Sequence, residues 1–267
     1  VTSFLALVIT GMPLKFYYTD WAKLMFHFLG NAEVARTLHH YAAVVTFAYF
    51  VLHLGALVRG FWRNRAGLRD PATGKVTFKR LLALIFHPDS MVPSPQDWRD
   101  FIAHQKWFFG KGPRPQFDRW TYWEKFDFLA VFWGMTAIGL SGFMLWFPGP
   151  FSYIVPGWVI NIATIVHSEE AFLAAVFIFT VHFFNNHIVP NKFPLEPNVF
   201  TGRYRLDQMR EERPLEYERM VAEGKLESLK REGPGIWSQL FASVFGLGSL
   251  VLGLILLALI FWAVLFY

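Results

Sequence analysis

Residues 38–57 read LHHYAAVVTFAYFVLHLGAL, and residues 160–188 read INIATIVHSEEAFLAAVFIFTVHFFNNHI. Each stretch is apolar over the length of a membrane span, and each carries two histidines about four helical turns apart. His39 and His53 are separated by fourteen residues, His167 and His182 by fifteen. At about 100° per residue these spacings fall roughly 40° short of four turns and about 60° beyond them, so each pair lies on one helix face. Two such helices running the same way place His39 opposite His167 and His53 opposite His182. Imidazole is costly to bury in lipid, and four in register at two depths point to something that they hold.

The composition agrees with a membrane protein. The chain is 54% hydrophobic and 19% aromatic, with 30 Phe and 11 Trp, well beyond ordinary soluble usage. It has no cysteine, which excludes disulfides, thiolate-held iron–sulfur clusters and covalent c-type haem attachment. A redox centre here is held by His, Met or carboxylate, and two stacked bis-imidazole b haems suit the four histidines. The net charge of +5 sits in loops beside spans, as the positive-inside rule expects, so no nucleic-acid partner is read from it.

The expected fold is all-α, a four-helix transmembrane haem-binding bundle with a fifth, C-terminal transmembrane helix. The bundle covers 1–205, with spans at about 1–14, 37–58, 126–147 and 158–187. Residues 1–14 are too few to cross a bilayer alone, and Pro13 disfavours continuation. Residues 15–36 read as an interfacial connector, with Trp21, Leu24, Met25 and Phe28 at helical spacing. The loop 59–125 holds 13 Lys and Arg against 6 Asp and Glu, whereas 148–166 holds none of either. Loops 59–125 and 188–235 are therefore placed in the cytoplasm, in a bacterial inner membrane, with 59–125 as a cap. Residues 206–235 read as a charged linker, and 236–267 as the last span, whose Gly246, Gly248 and Gly253 favour close packing.

An internal echo ties the halves together. Thr10-Gly11-Met-Pro-Leu-Lys-Phe is similar to Ser141-Gly142-Phe-Met-Leu-Trp-Phe, and a histidine-bearing span follows each, so spans one and two match three and four. Gly11, Gly134, Gly139 and Gly142 are expected to leave room for a flat macrocycle. His40 and His187 point about 140° away from their neighbours and are weaker ligand candidates. Glu169 and Glu170 read as outer-interface carboxylates or a proton acceptor. Arg59 and Arg63 read as anchors or as partners of haem propionates. A quinone site needs an apolar slot and titratable groups; His187, Asn185, Asn186, Asp127 and Glu124 cluster by predicted depth.

Leu38-His39-His-Tyr-Ala-Ala, the run Gln96-Asp97-Trp98 through Trp123-Glu-Lys-Phe-Asp to Gly134, and His167-Ser-Glu-Glu-Ala-Phe-Leu-Ala with Thr180-Val-His182-Phe-Phe-Asn resemble the membrane cytochrome b of formate dehydrogenases (the γ subunit). The wider group includes cytochrome b subunits of nickel–iron hydrogenases. The resemblance covers about residues 1–205. It implies a membrane subunit of a quinone-linked oxidoreductase complex, with two haem b groups passing electrons between menaquinone or ubiquinone and an iron–sulfur or multihaem c-type subunit at the outer face. It further implies outer-haem ligation by His39 and His167 and inner-haem ligation by His182. That family draws the second inner ligand from early in its first span, so either His53 or a residue upstream takes the role here. The competing readings are a cofactor-free anchor, a divalent-metal transporter, or a haem-containing reductase without a quinone site.

Overall fold

The structure is a computed structural model that describes residues 1–70, 73–190 and 192–267. Among these residues it is all-helical, in the order α1 Thr2–Lys15, α2 Asp20–Leu29, α3 Ala32–Asn64, α4 Phe78–Ile85, α5 Pro95–Phe108, α6 Tyr122–Trp146, α7 Pro148–Ser152, α8 Gly157–Phe177, α9 Asn198–Thr201, α10 Leu206–Glu212, α11 Pro214–Ala222, α12 Leu226–Leu229 and α13 Ile236–Phe266. Helix α8 runs on through two wide π-type turns, Ile178–His182 and Phe184–Ile188.

Four helices are long and apolar enough to cross a membrane: Ala32–Leu68, Tyr122–Trp146, Gly157–Ile188 and Ile236–Phe266. The chain thus has the character of a multi-pass membrane protein. Helix α1, with 14 residues, is about 21 Å long and falls short of a ~30 Å hydrocarbon core. Pro13 lies inside it. The helix still reaches Lys15, and the amide of Phe16 caps the last turn on the Met12 carbonyl at 2.9 Å.

Contacts divide the chain into two compact units. The first comprises Val1–Gly55, Phe132–Thr201 and Ile236–Tyr267. Its core joins Leu5, Val8, Met12 and Phe16 of α1 with Ala175, Phe179 and Phe183 of the α8 span and Leu250, Leu256, Ile260 and Ala263 of α13. The C-terminal span is therefore part of this unit. Its buried positions, Ala242, Gly246, Leu250, Gly253, Leu256, Ile260 and Ala263, recur every three or four residues and form one stripe. A Cβ on Gly253 would stand 2.6 Å from the Phe183 ring and 2.8 Å from that of Phe179, whereas Gly248 has no such neighbour within 4 Å. Gly253→Leu is expected to destabilise helix docking by about 1–3 kcal/mol through overpacking. Gly248→Leu is the control; the thermal midpoint of detergent-purified protein reads the difference.

Contacts also fix the helix directions. Along α1, Phe4 meets Phe179 and Phe16 meets Phe172, so α1 and α8 are antiparallel. Ser3 meets Tyr49 and Thr10 meets His39, so α1 and α3 are antiparallel too. Helices α3 and α8 consequently run the same way, as the histidine register requires. Helix α6 opposes both, pairing Trp146 with His40 and Phe132 with Phe50, and Ile138 with His167.

The second unit comprises Ala56–Val131 and Gly202–Gly235. Within this unit the charged segment 206–235 is joined by ion pairs to the loop that follows α3 and to the first turn of α6. Arg213 meets Glu124 at 2.7 Å, and Arg219 meets Asp89 and Asp118 at 2.8 and 2.9 Å. Lys125 and Asp97, both nearly buried, pair at 2.9 Å, and Asp97 also closes the capping box with Ser94 at the start of α5. Burial raises the Glu216 carboxyl above the usual carboxylate value, against the pull of Arg119 and Arg213. The proton that it retains stabilises the fold below the unfolded value, and that contribution is lost as pH rises through the raised one. Glu216→Gln should slow proteolysis of this unit at pH 7 and match the parent at pH 4.

Candidate functional site

The site begins from a stripe of small residues on α3. Ala35, Ala42 and Thr46 are its buried positions, and His39 falls on the same face, four residues after Ala35 and three before Ala42. With small neighbours above and below, the imidazole reaches out between helices. His167 stands likewise one turn beyond buried Ala163 on α8. The two rings meet with centres 6.2 Å apart and planes at 80°.

Each ring is met at Nδ1 by a partner on a neighbouring helix. The Thr10 hydroxyl donates to the Ala6 carbonyl at 2.6 Å and lies 3.0 Å from His39 Nδ1. With its hydrogen spent on the carbonyl, it accepts from the imidazole, and the Leu7 carbonyl lies beside the same ring. On the other side, His167 Nδ1 lies 2.9 Å from the Ile138 carbonyl. A carbonyl only accepts, so that nitrogen carries the proton. Ser141 bonds back to Ala137 and Ile138 as Thr10 does to Ala6 and Leu7. The glycine after each hydroxyl residue supports the ring: a Cβ on Gly11 would stand 3.0 Å from His39 Cε1, and one on Gly142 would stand 2.7 Å from His167 Cε1. The sequence echo is thus an echo of contacts.

Protonation at Nδ1 leaves a lone pair on each Nε2. Edge-to-face packing also gives ring separations of about 4.5–7 Å; each Nε2 lone pair is in addition a potential metal ligand. Two imidazoles bound to one metal from opposite sides, with bonds of about 2.0–2.1 Å and each ring centre about 1.1 Å beyond its nitrogen, have centres roughly 6.3 Å apart. The observed separation fits that arrangement. The hydroxyl and carbonyl at Nδ1 supply the outer contacts that orient a ligating histidine. Among the described residues no three His, Asp or Glu side chains converge on a point that could hold an ion, so any metal here needs further ligands from a group that carries it.

Gly11 and Gly142 make room for the imidazoles. Gly139 admits Phe47, whose ring would be 2.4 Å from an added Cβ, and Gly134 has only an ordinary 3.8 Å contact with Ile138. His40 stacks on Trp146 at 4.1 Å, facing away from the pair as its phase predicts. Glu169 pairs with Lys15 at 2.8 Å, and Glu170 accepts from the Trp133 indole at 3.2 Å.

Along α3, His53 packs on Phe132 with ring centres 6.2 Å apart. His182 ends the first wide turn of the α8 span, and such a turn takes up about one extra residue. Fifteen residues then advance as about fourteen, which brings His167 and His182 to the spacing of His39 and His53. The Asn186 amide donates to the His182 carbonyl at 2.9 Å and lies 3.2 Å from its Nδ1. His187 Nδ1 accepts from the Glu196 amide at 3.3 Å, so neutral His187 carries its proton on Nε2. Asn185 offers its carbonyl to Lys192 at 3.3 Å.

Asp127 and Glu124 belong to the second unit. Both Glu124 oxygens are engaged, one by Arg213 and the other by the Thr121 amide and hydroxyl. Thr10 and the Ile138 carbonyl were not singled out by sequence reading; the hydroxyl before each echoed glycine was the available signal. Set against family models, curated proteins and solved structures, the chain matches none of them.

Proposed function

We propose that this protein carries electrons across a membrane between a quinone and an extrinsic redox subunit, through two b-type haems held by His39 with His167 and by His53 with His182. The observation that carries this reading is the outer pair, with His39 Nδ1 at the Thr10 hydroxyl, His167 Nδ1 at the Ile138 carbonyl and ring centres 6.2 Å apart. Held by these histidines, a haem would supply a reversible one-electron couple. The chain contributes neutral imidazoles, fixed ring planes and an apolar surround that keeps water away, all of which set the potential. Parallel α3 and α8 carry the second pair about 21 Å further along, at the other level of the bilayer.

The quinone is assigned to the end of the α8 span. There the Nε2–H of His187 can donate to a quinone oxygen, with Asn186 linking the slot to His182. Of the carboxylates expected to share this role, Glu124 is committed to Arg213 and Thr121. With no cysteine in the chain, an outer partner bearing iron–sulfur clusters or c-type haems exchanges the electrons, and loops 59–125 and 188–235 face the cytoplasm.

The test is the dithionite-reduced minus oxidised visible spectrum of the purified protein, with haem counted as the pyridine haemochrome. A b-type α-band and two haems per chain support the conduit; a featureless spectrum leaves a cofactor-free anchor. Quinol analogues should perturb the haem bands, and their failure to do so would remove the quinone site.

A further inference from the structure

We infer that the stretch from Arg59 to Phe86 is a docking surface for anionic phospholipid, with α4 lying in the headgroup layer. This rests on the second unit alone and is independent of electron transfer. From residue 59 to residue 80 there are seven cations and one acid, Asp70. All seven are exposed, and none of these cations has an ion pair among the described residues. Elsewhere in the same unit, Arg114, Arg119, Lys125, Arg213 and Arg219 are matched to carboxylates. These seven exposed cations, drawn from one 22-residue stretch, present an unmatched positive surface to an outside anion.

The backbone path keeps those charges together. Beyond α3 the chain makes a 3₁₀ turn at Arg65–Leu68, then doubles back through a bridge between Arg69 and Val76. The Asp70 amide bonds the Lys75 carbonyl at 2.8 Å, and Gly74 takes the left-handed conformation, φ +67°. Thr77 caps α4, which returns to lie beside the 3₁₀ turn. At about 100° per residue, Phe78, Leu81, Leu82 and Ile85 share an arc of about 100°, while Lys79 and Arg80 lie outside it.

No residue of α4 is buried; Phe78 is 73% exposed, and Leu82 and the capping Phe86 are also open. Exposed Phe61 and Trp62 precede them, with the Arg65 guanidinium 4.9 Å from the Trp62 ring centre. An apolar stripe flanked by unpaired cations, starting where an apolar span ends, matches the acyl–headgroup boundary of an anionic leaflet. Charge selects the occupant: an uncharged lipid or an apolar protein face would answer the stripe and leave the cations unanswered.

Because the chain has no cysteine, single reporters can be placed without background. Leu82→Cys and Ala83→Cys, each carrying nitrobenzoxadiazole, are reconstituted in nanodiscs of phosphatidylglycerol or phosphatidylcholine and quenched with neutral acrylamide. Position 82 should be quenched several-fold less than 83 in phosphatidylglycerol. That protection should fade in phosphatidylcholine and at high salt. Joint replacement of Lys75, Lys79 and Arg80 by Gln should reduce the preference for the acidic lipid by about tenfold or more. Equal quenching at 82 and 83 overturns the inference. So does protection of 82 that persists in phosphatidylcholine or in detergent, since the chain itself or another protein then covers the stripe.

Discussion

His167→Ala is expected to lower bound haem from two per chain to one, with the protein still inserted and the inner haem still reducible. The imidazole is held by one backbone carbonyl, that of Ile138 at 2.9 Å, and faces a single partner ring. On the proposed assignment its loss removes an iron ligand, and it removes little of the packing that inserts the helices, because the bundle core lies elsewhere, around Phe179, Phe183 and Ile260. His39→Ala should give the same result, since either half of a bis-imidazole pair is needed for a six-coordinate site. Haem per chain from the haemochrome, read beside the protein's elution profile, decides it. Two haems retained in either variant would break the assignment.

The second large effect concerns a glycine. Gly142→Ala is expected to displace the His167 ring and lower outer-haem occupancy severalfold, because the new methyl carbon would stand 2.7 Å from Cε1 and 3.0 Å from Nδ1. The ring cannot retreat without losing its bond to Ile138, so a single methyl acts on position and proton together. Overpacking of this kind costs about 1–3 kcal/mol, and here it falls on the ligand. Gly134→Ala, eight residues earlier on the same helix, meets nothing closer than 3.8 Å and should leave the spectrum unchanged. If both substitutions are silent, the glycine does not support the ring.

Much of this organisation can be read in the chain before any coordinates. The two His-bearing apolar runs announce parallel spans, because burial of imidazole demands a use and the spacing sets the face. The Thr10-Gly11 and Ser141-Gly142 echo is also visible, although its purpose is not. In the structure Gly11 and Gly142 lie against the imidazoles, and the hydroxyl of Thr10 meets His39 Nδ1. A hydrogen bond between residues 29 apart in sequence leaves no periodic trace.

The wide turn before His182 is similarly silent, since no proline or glycine marks it. The pairing of the charged linker at 206–235 is silent for a different reason. Its mixed acids and bases resemble a solvated helix pair, and only three-dimensional pairing distinguishes Arg213 and Arg219 from ordinary surface charge. The last span was readable as a helix, while its docking against Phe179 and Phe183 depends on Gly253 lying on the same stripe as Leu250 and Ile260.

The most direct measurement is low-temperature electron paramagnetic resonance of the oxidised protein, which reports iron ligation and the relative orientation of the axial rings. With planes at 80°, His39 and His167 should give the strongly anisotropic low-spin ferric signal of near-perpendicular imidazoles, lost alike in His39→Ala and His167→Ala. An absence of any haem-iron signal, or a spectrum in which both low-spin components survive in each of the two variants, would contradict the claim that these two nitrogens share one iron.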